Sequence, residues 1–452
     1  MADIVTVITL LFAIYVILLL VLKEKNLFEK YNLSLYGPFL AWKTERGKRF
    51  IRKLSKPRSF WSIFATVAIF ICFVTMAFML YLLVGNVTIL MHLPKESIQR
   101  LPGVEMVIAI PGINPILPIG YTIVGLIVAI VVHELSHGIL CNLGGIKIRS
   151  LGLVAFIFPV GAFVEPDEEQ LRSASTFKRM KVFAAGPGMN LLVALVCMLV
   201  FSFVFMPFVH PTDGAMVLYV VKNSPAEEVG ISSWMLITEI NGNKIKDADD
   251  FTEVMNATKP GEKISVKCRD LYGKILTKEV VLAEKYNFTN RSMDKGIGFL
   301  GVGVSNVFRK YLDVFKNPFA HSISTFLVEY YGAPFIGFFT GYNPLAQPYT
   351  NYYEIRGPFA IVPDFFWVIA NAFYWIFWLN FAVGMFNALP IYPFDGGNLI
   401  QDAIKGTTRK LLKSLSKEKI EKITKLSTIS ISLLTLFLVL APIFMKYISL
   451  VT

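Results

Sequence analysis

Hydrophobic residues fall in six runs, at 5–22, 61–84, 119–143, 182–208, 365–389 and 426–447. Each is close to the roughly 20 residues a helix needs to cross a bilayer core. Between the fourth and fifth runs the period changes. From residue 211 short alternating stretches at 215–222, 237–241, 263–269 and 274–282, an Asn241–Gly242 turn and one amphipathic helix at 248–257 predict a small β-rich fold. Residues 146–164 are β-branched and aromatic, broken at Pro159 and Gly161, and predict a hairpin directly after the third run. Non-helical backbone is tolerated at membrane depth only where protein covers it or it lines a wet cavity, so this hairpin is expected to dip in beside the third run and offer a strand edge to an extended chain. A further apolar stretch, 317–345, carries Glu329 at its middle and Gly332, Ala333 and Pro334 after it. It is expected to lie at the outer interface or re-enter, without crossing.

With 54% hydrophobic and 17% charged residues, the composition is that of a membrane protein. The net charge of +12 sits in loops beside the runs: eleven Lys or Arg against three Glu between residues 23 and 58, and eight against two acids between 405 and 425. That distribution reads as topology and lipid-headgroup contact, with no nucleic-acid partner. It puts both basic segments in the cytoplasm, and the N-terminus, the β-rich module and the C-terminus outside. Residues 85–118, rich in Pro, are expected at the outer interface with little helix. The first run lacks a preceding basic residue and a cleavage site, so it is read as retained. Cys72, Cys141 and Cys197 fall in runs and Cys268 in the polar module; free thiols are expected, with no disulfide framework.

The only ionisable side chains from Thr122 to Leu140 are His133, Glu134 and His137. Positions i and i+4 share a helix face, so both imidazoles can reach one metal ion while Glu134 reaches a water beside it, the H-E-x-x-H arrangement. A third ligand comes either from Glu165, Glu168 or Glu169, in a charged loop, or from Asp395, after the fifth run. Asp395 is preferred, because an unpartnered carboxylate at membrane depth is costly. In the fourth run Gly186, Pro187, Gly188, Met189 and Asn190 place small residues where helices approach closely, and Asn190 is a candidate to hydrogen-bond towards the site.

H-E-x-x-H in one run, with Asn387, Pro390, Pro393 and Asp395-Gly396 (N-x-x-P-x-x-P-x-D-G) in a later one, resembles the paired signature of the site-2 protease family of intramembrane zinc proteases, in a prokaryotic form. The resemblance spans roughly residues 119–400. It implies Zn²⁺ held by His133, His137 and Asp395, Glu134 as catalytic acid/base, and Asn387 near the reacting carbonyl. Gly186 and Asn190 would lie on the helix facing the zinc helix, with Pro390 and Pro393 supporting the site or its substrate. The segments at 223–231 and 236–245 resemble PDZ modules of such proteases, which implies either capture of an extended peptide or C-terminus or restriction of access.

The expected architecture is an α-helical polytopic membrane protein of about six transmembrane helices, with a membrane-associated β-hairpin and an inserted small α+β, β-rich PDZ-like domain. Residues 1–118 form a transmembrane pair with a basic loop, and 119–209 the first half of the catalytic core. Residues 210–304 form the PDZ-like domain, 305–358 the interfacial segment, 359–400 the second half of the core, and 401–452 a basic segment and the last helix. The expected function is zinc-dependent cleavage of transmembrane protein substrates in the cell membrane, as in regulated intramembrane proteolysis, with the active site towards the cytoplasm. Two other classes share these features: a membrane PDZ scaffold and a zinc transporter. A structural zinc site takes four protein ligands, usually Cys-rich, and none suggests itself as a fourth here. A Glu beside the first His suits catalysis better than transport.

Overall fold

Each apolar run is helical, and most of the helices overshoot their runs. In the computed structural model, which describes residues 2–451 apart from 37, 38, 46, 102, 104, 105, 107–111 and 156–158, the first run lies within α1 (Ala2–Glu24). The overshoot follows from the flanks: Lys, Arg and Glu end a hydropathy run but are good helix formers. The chain divides into two compact units, residues 1–197 with 375–452, and residues 198–374.

The first unit holds an antiparallel sheet that sequence patterning only half reveals. Strands β1 (Leu33–Tyr36) and β2 (Phe39–Thr44) come from the basic loop, and α2 (Lys48–Leu54) follows them. Helix α3 (Arg58–Met91) and the short α4 (Lys95–Gln99) precede α5 (Ile119–Leu143), which carries His133, Glu134 and His137. Strands β3 (Ile148–Ala155) and β4 (Pro159–Pro166) form the expected hairpin, whose tip at 156–158 lies outside the described residues. The sheet order is β1-β2-β3-β4, with Trp42 opposite Leu153 and Leu151 opposite Val164. Residues 23–58, expected to contact headgroups, also carry regular structure of their own. Two short strands cover one edge of the hairpin, and Ile51 of α2 is fully buried with Ile139, Leu140, Ile148 and Val182. Gly138 makes room for that contact, since a Cβ there would come within 2.7 Å of Ile51 Cδ1.

Helix α6 (Glu168–Ser173) leads into α7 (Thr176–Val200), which continues as a π turn and a 3-10 turn to Phe208. Residues 85–118 are also more helical than expected: α3 runs on to Met91, and α4 follows it. Gln99 donates to the Ser449 carbonyl at 2.8 Å and Lys446 to the Leu101 carbonyl at 2.6 Å, satisfying groups the Pro-rich sequence leaves open.

The second unit contains a sheet of β5 (Ala215–Val220), β6 (Leu236–Ile240), β7 (Lys263–Arg269), β8 (Ile275–Val281) and β9 (Val302–Ser305), with α8 (Ala248–Asn256) against it. Its main path runs β8-β7-β6-β5-β9, with β9 at the end. The inward residues of the alternating strands, among them Val217, Ile237, Ile240 and Val266, bury Phe251 and Leu300 in one core. Helix α9 (Val307–Lys316) follows. The stretch 317–345 does not form one long helix: a helical segment to Tyr331 stops at Gly332, and α10 (Ala333–Thr340) ends at Gly341, whose φ of 75° suits glycine. Glu329 there pairs with Lys310 at 2.7 Å, and the buried Tyr330 hydroxyl bonds Ser202 at 2.8 Å.

The chain returns through α11 (Pro363–Asn387), α12 (Asp395–Leu411) and α13 (Lys417–Val451). Among the described residues, five helices are long and apolar enough to cross a membrane: α3, α5, α7 extended to Phe208, α11 and α13. All four cysteines are free and buried.

Candidate metal centre

Helix α5 presents His133 and His137 one turn apart on one face, as the i, i+4 spacing requires. Asp395 meets them from a second helix: its Oδ2 lies 3.1 Å from His133 Nε2 and 3.2 Å from His137 Nε2. The three ligand atoms fall within 4.8 Å of one another. Zinc bonds of about 2.0–2.2 Å in a tetrahedron put neighbouring ligand atoms about 3.4 Å apart, so the donor set fits the ion and leaves the fourth position open.

Backbone groups orient this cluster. His137 Nδ1 lies 2.8 Å from the Val182 carbonyl of α7; a carbonyl only accepts, so Nδ1 carries the proton and Nε2 turns its lone pair inward. Gly186, one turn further along α7, lies against both rings. A Cβ there would stand 2.5 Å from His133 Cε1 and Nε2 and from His137 Nε2. Asn190, a turn beyond Gly186, is fully buried, and neither of its amide atoms has a partner among the described residues; the same is true of His133 Nδ1.

Asp395, beyond the end of α11, opens the separate helix α12. The loop 388–394 folds back over the start of α12 so closely that a Cβ on Gly396 would lie 2.3 Å from the Ala388 and Leu389 carbonyl oxygens. One on Gly397 would lie 2.5 Å from Tyr392 N. Ser432 of α13 pins the loop, donating to the Pro390 carbonyl at 3.2 Å and accepting from Tyr392 N–H at 3.0 Å. Pro390 is thereby buried in the support of the loop, whereas Pro393 is exposed.

Glu134 is held from the other side: its Oε2 accepts from the Val164 N–H of β4 at 3.0 Å. Other candidates stand elsewhere. Asn387 donates its amide to the Val383 carbonyl of its own helix at 3.1 Å. Glu165 accepts from Ser150 and pairs with Lys43 at 3.1 Å; the Ser150 hydroxyl first, then the Lys43 and Arg149 charges, hold its carboxyl below the usual range. Glu168 pairs with Arg172 at 3.0 Å. The cluster of possible metal ligands therefore contains Asp395 and none of the three glutamates.

Apolar helices long enough to span a membrane, one of which carries a His–His–Glu constellation that Asp395 of α12 completes, define a metallopeptidase of the membrane-embedded class. Comparison with known sequences places it further: residues 121–434 match the sequence model described as Peptidase family M50, and the chain belongs to that family. It is a zinc metallopeptidase that cleaves proteins within the membrane. A protein of Methanocaldococcus jannaschii described as uncharacterized is 29% identical over 370 residues, covering 81% of this chain and 78% of its own. The zinc metalloprotease RasP of Shouchella clausii is 26% identical over 255 residues, covering 56% of each chain. Among solved structures, the PDZ domain of an SdrC-like protein from Listeria monocytogenes aligns over 22% of this chain and 95% of its own, at 22% identity and a TM-score of 0.19.

Proposed function

We propose that His133, His137 and Asp395 hold the zinc ion of this peptidase and that Glu134 is its acid/base. The observation that carries this is the convergence of both Nε2 atoms on Asp395 Oδ2, with Glu134 next in sequence to His133. When bound, the ion supplies Lewis acidity and a water nucleophile near neutral pH. Glu134, with Oε2 fixed by Val164 and Oε1 without a partner among the described residues, takes the proton of the attacking water and returns it to the leaving amine. Asn387 donates to the developing oxyanion once its amide leaves Val383. Hairpin β3–β4 binds the unwound substrate segment in extended form beside Glu134. Replacing Glu134 with Gln keeps bound zinc and abolishes cleavage of a reconstituted membrane substrate. Asp395→Ala lowers zinc content in metal analysis; unchanged stoichiometry would remove Asp395 from the ligand set.

For the PDZ-like module the proposed partner is an extended peptide or C-terminus added along β9. A cavity of about 170 Å³ beside that strand is lined by Phe251, Met255, Leu300, Val302 and Val304, with Lys285 among its lining residues. Strand addition there gives main-chain bonds to the peptide and a pocket for one apolar side chain. The proposed topology keeps the N-terminus, this module and the C-terminus outside, with the active site towards the cytoplasm. Supporting it, the segment around residues 99–101 and the end of α13 are bonded together, as two segments on one side must be.

A further inference from the structure

We infer that Arg179 and Asp402 form a clamp that sets where Asp395 stands relative to the two histidines; this rests on Asp395 being a metal ligand, as proposed above. Asp395 opens α12 and Asp402 follows seven residues later, two turns on, so both carboxylates share one face of the helix. Asp402 is 4% exposed, and a carboxylate so buried requires compensation. It receives Arg179 as a fork: Nε lies 3.1 and 3.0 Å from its two oxygens, and Nη2 donates to Oδ1 as well. Nη1 of the same guanidinium donates at 3.1 Å to the carbonyls of Arg172 and Ala174 at the end of α6. One side chain on α7 thus fixes both α6 and α12.

The face of α7 that carries Arg179 also carries, three and seven residues on, Val182 and Gly186. Their contacts orient His137 and define the space for both imidazoles. A single helix face is therefore the template for the whole cluster: the histidines register on it through Val182 and Gly186, and Asp395 registers on it through Asp402 and Arg179. Beyond the metal cluster, Lys405 of α12 pairs with Glu421 of α13 at 3.3 Å, but Glu421 is largely exposed, and exposed pairs hold little. Neither Arg179 nor Asp402 belongs to the cluster of ligand atoms; they are positioning residues. Arg suits the role because its planar fork fixes direction as well as distance, which a lysine cannot do.

The test uses the full chain purified in detergent, as Asp402→Asn, Arg179→Gln, Arg179→Lys and, as a control on the same helix, Lys405→Ala. Zinc affinity is read by competition with a chelator of known affinity, and site geometry by the visible spectrum of the Co²⁺-loaded protein. Asp402→Asn and Arg179→Gln are expected to weaken zinc binding about 10–100-fold, the range for groups that orient metal ligands, and to shift the Co²⁺ bands. They should also lower kcat on a membrane substrate at unchanged KM. Arg179→Lys falls between these and wild type, and Lys405→Ala matches wild type. Wild-type zinc affinity and spectrum in folded Asp402→Asn overturn the clamp. Where that variant does not fold, Arg179→Lys decides: wild-type affinity overturns the clamp and partial loss supports it. Asp395→Ala run alongside separates the two readings. If it keeps zinc at full affinity, the ligand assignment fails. If it loses zinc while the clamp variants keep it, the clamp alone fails.

Discussion

The backbone N–H of Val164 donates to Oε2 of Glu134 at 3.0 Å, so a strand of the hairpin is bonded directly to the residue proposed as acid/base. Val164 stands opposite Leu151 in the β3–β4 register. In an antiparallel pair an N–H points either across to its partner or away from it; donation to Glu134 points this one away from β3. Val164→Pro therefore removes the donor without removing a ladder bond. The expected outcome is a kcat lower by about 10–100-fold, the worth of a hydrogen bond to a charged group, with zinc content unchanged. An unchanged kcat would mean that Glu134 needs no orientation by the hairpin.

Gly186 leaves no room for a side chain against the imidazoles. Its φ is not in the left-handed region, so the demand for glycine is steric: a methyl 2.5 Å from both Nε2 atoms cannot be accommodated without moving a ring or the helix. Gly186→Ala is expected to lower zinc content and cleavage together while the protein remains folded, whereas Gly242→Ala, at a turn with open space around it but positive φ, affects folding stability alone. Full zinc occupancy in Gly186→Ala, measured by metal analysis, would show that α7 yields.

What the sequence made legible is local. His133, Glu134 and His137 announce themselves because the helical period turns their spacing into a shared face, and Asp395 because a lone carboxylate beside an apolar run demands a partner. Val164 and Val182 contribute through main-chain atoms, which any residue type other than proline would supply, so nothing in their identity signals the role. Strands β1 and β2 span only four and six residues in a strongly basic stretch, and charge density masked their alternation. Arg179 and Asp402 pair across 223 residues; each alone looks like one more isolated charge beside the apolar runs. The module's strands at 263–269 were readable to the residue because inward and outward positions alternate without a bulge, as their burial shows.

The structure changes how the module must be removed to test whether it restricts access. Strand β9 pairs with β5 across Val302–Val220 and Ser305–Met216, so excision of residues 214–285 would leave β9 without its partner and expose an unpaired strand. A deletion of 214–305 closed by a short flexible linker removes the sheet whole. It is expected to broaden cleavage towards substrates that retain their extracytoplasmic domains. If long and truncated substrates keep the same relative rates, the module binds peptide without sieving.

Sidedness turns on residues 317–345. In the proposed topology, with the module outside and the basic segment 405–425 inside, an odd number of crossings must separate them, and α11 supplies one. A second crossing at 317–345 would leave eight basic residues outside and reverse α11. Asp395 would then open α12 at the opposite face from His133 and His137, yet its Oδ2 stands 3.1 and 3.2 Å from them. The segment itself is broken at Gly332, and its longest regular helix, Ala333–Thr340, has eight residues, about 12 Å against a core of about 30 Å. Ser322 and Thr340 near its two ends are both exposed. In a background with all four cysteines replaced, single cysteines at these positions are expected to react equally with a membrane-impermeant thiol reagent added from outside. Labelling at position 340 from the cytoplasmic side alone would mean that the segment crosses, and the topology proposed for the whole catalytic core would have to be redrawn.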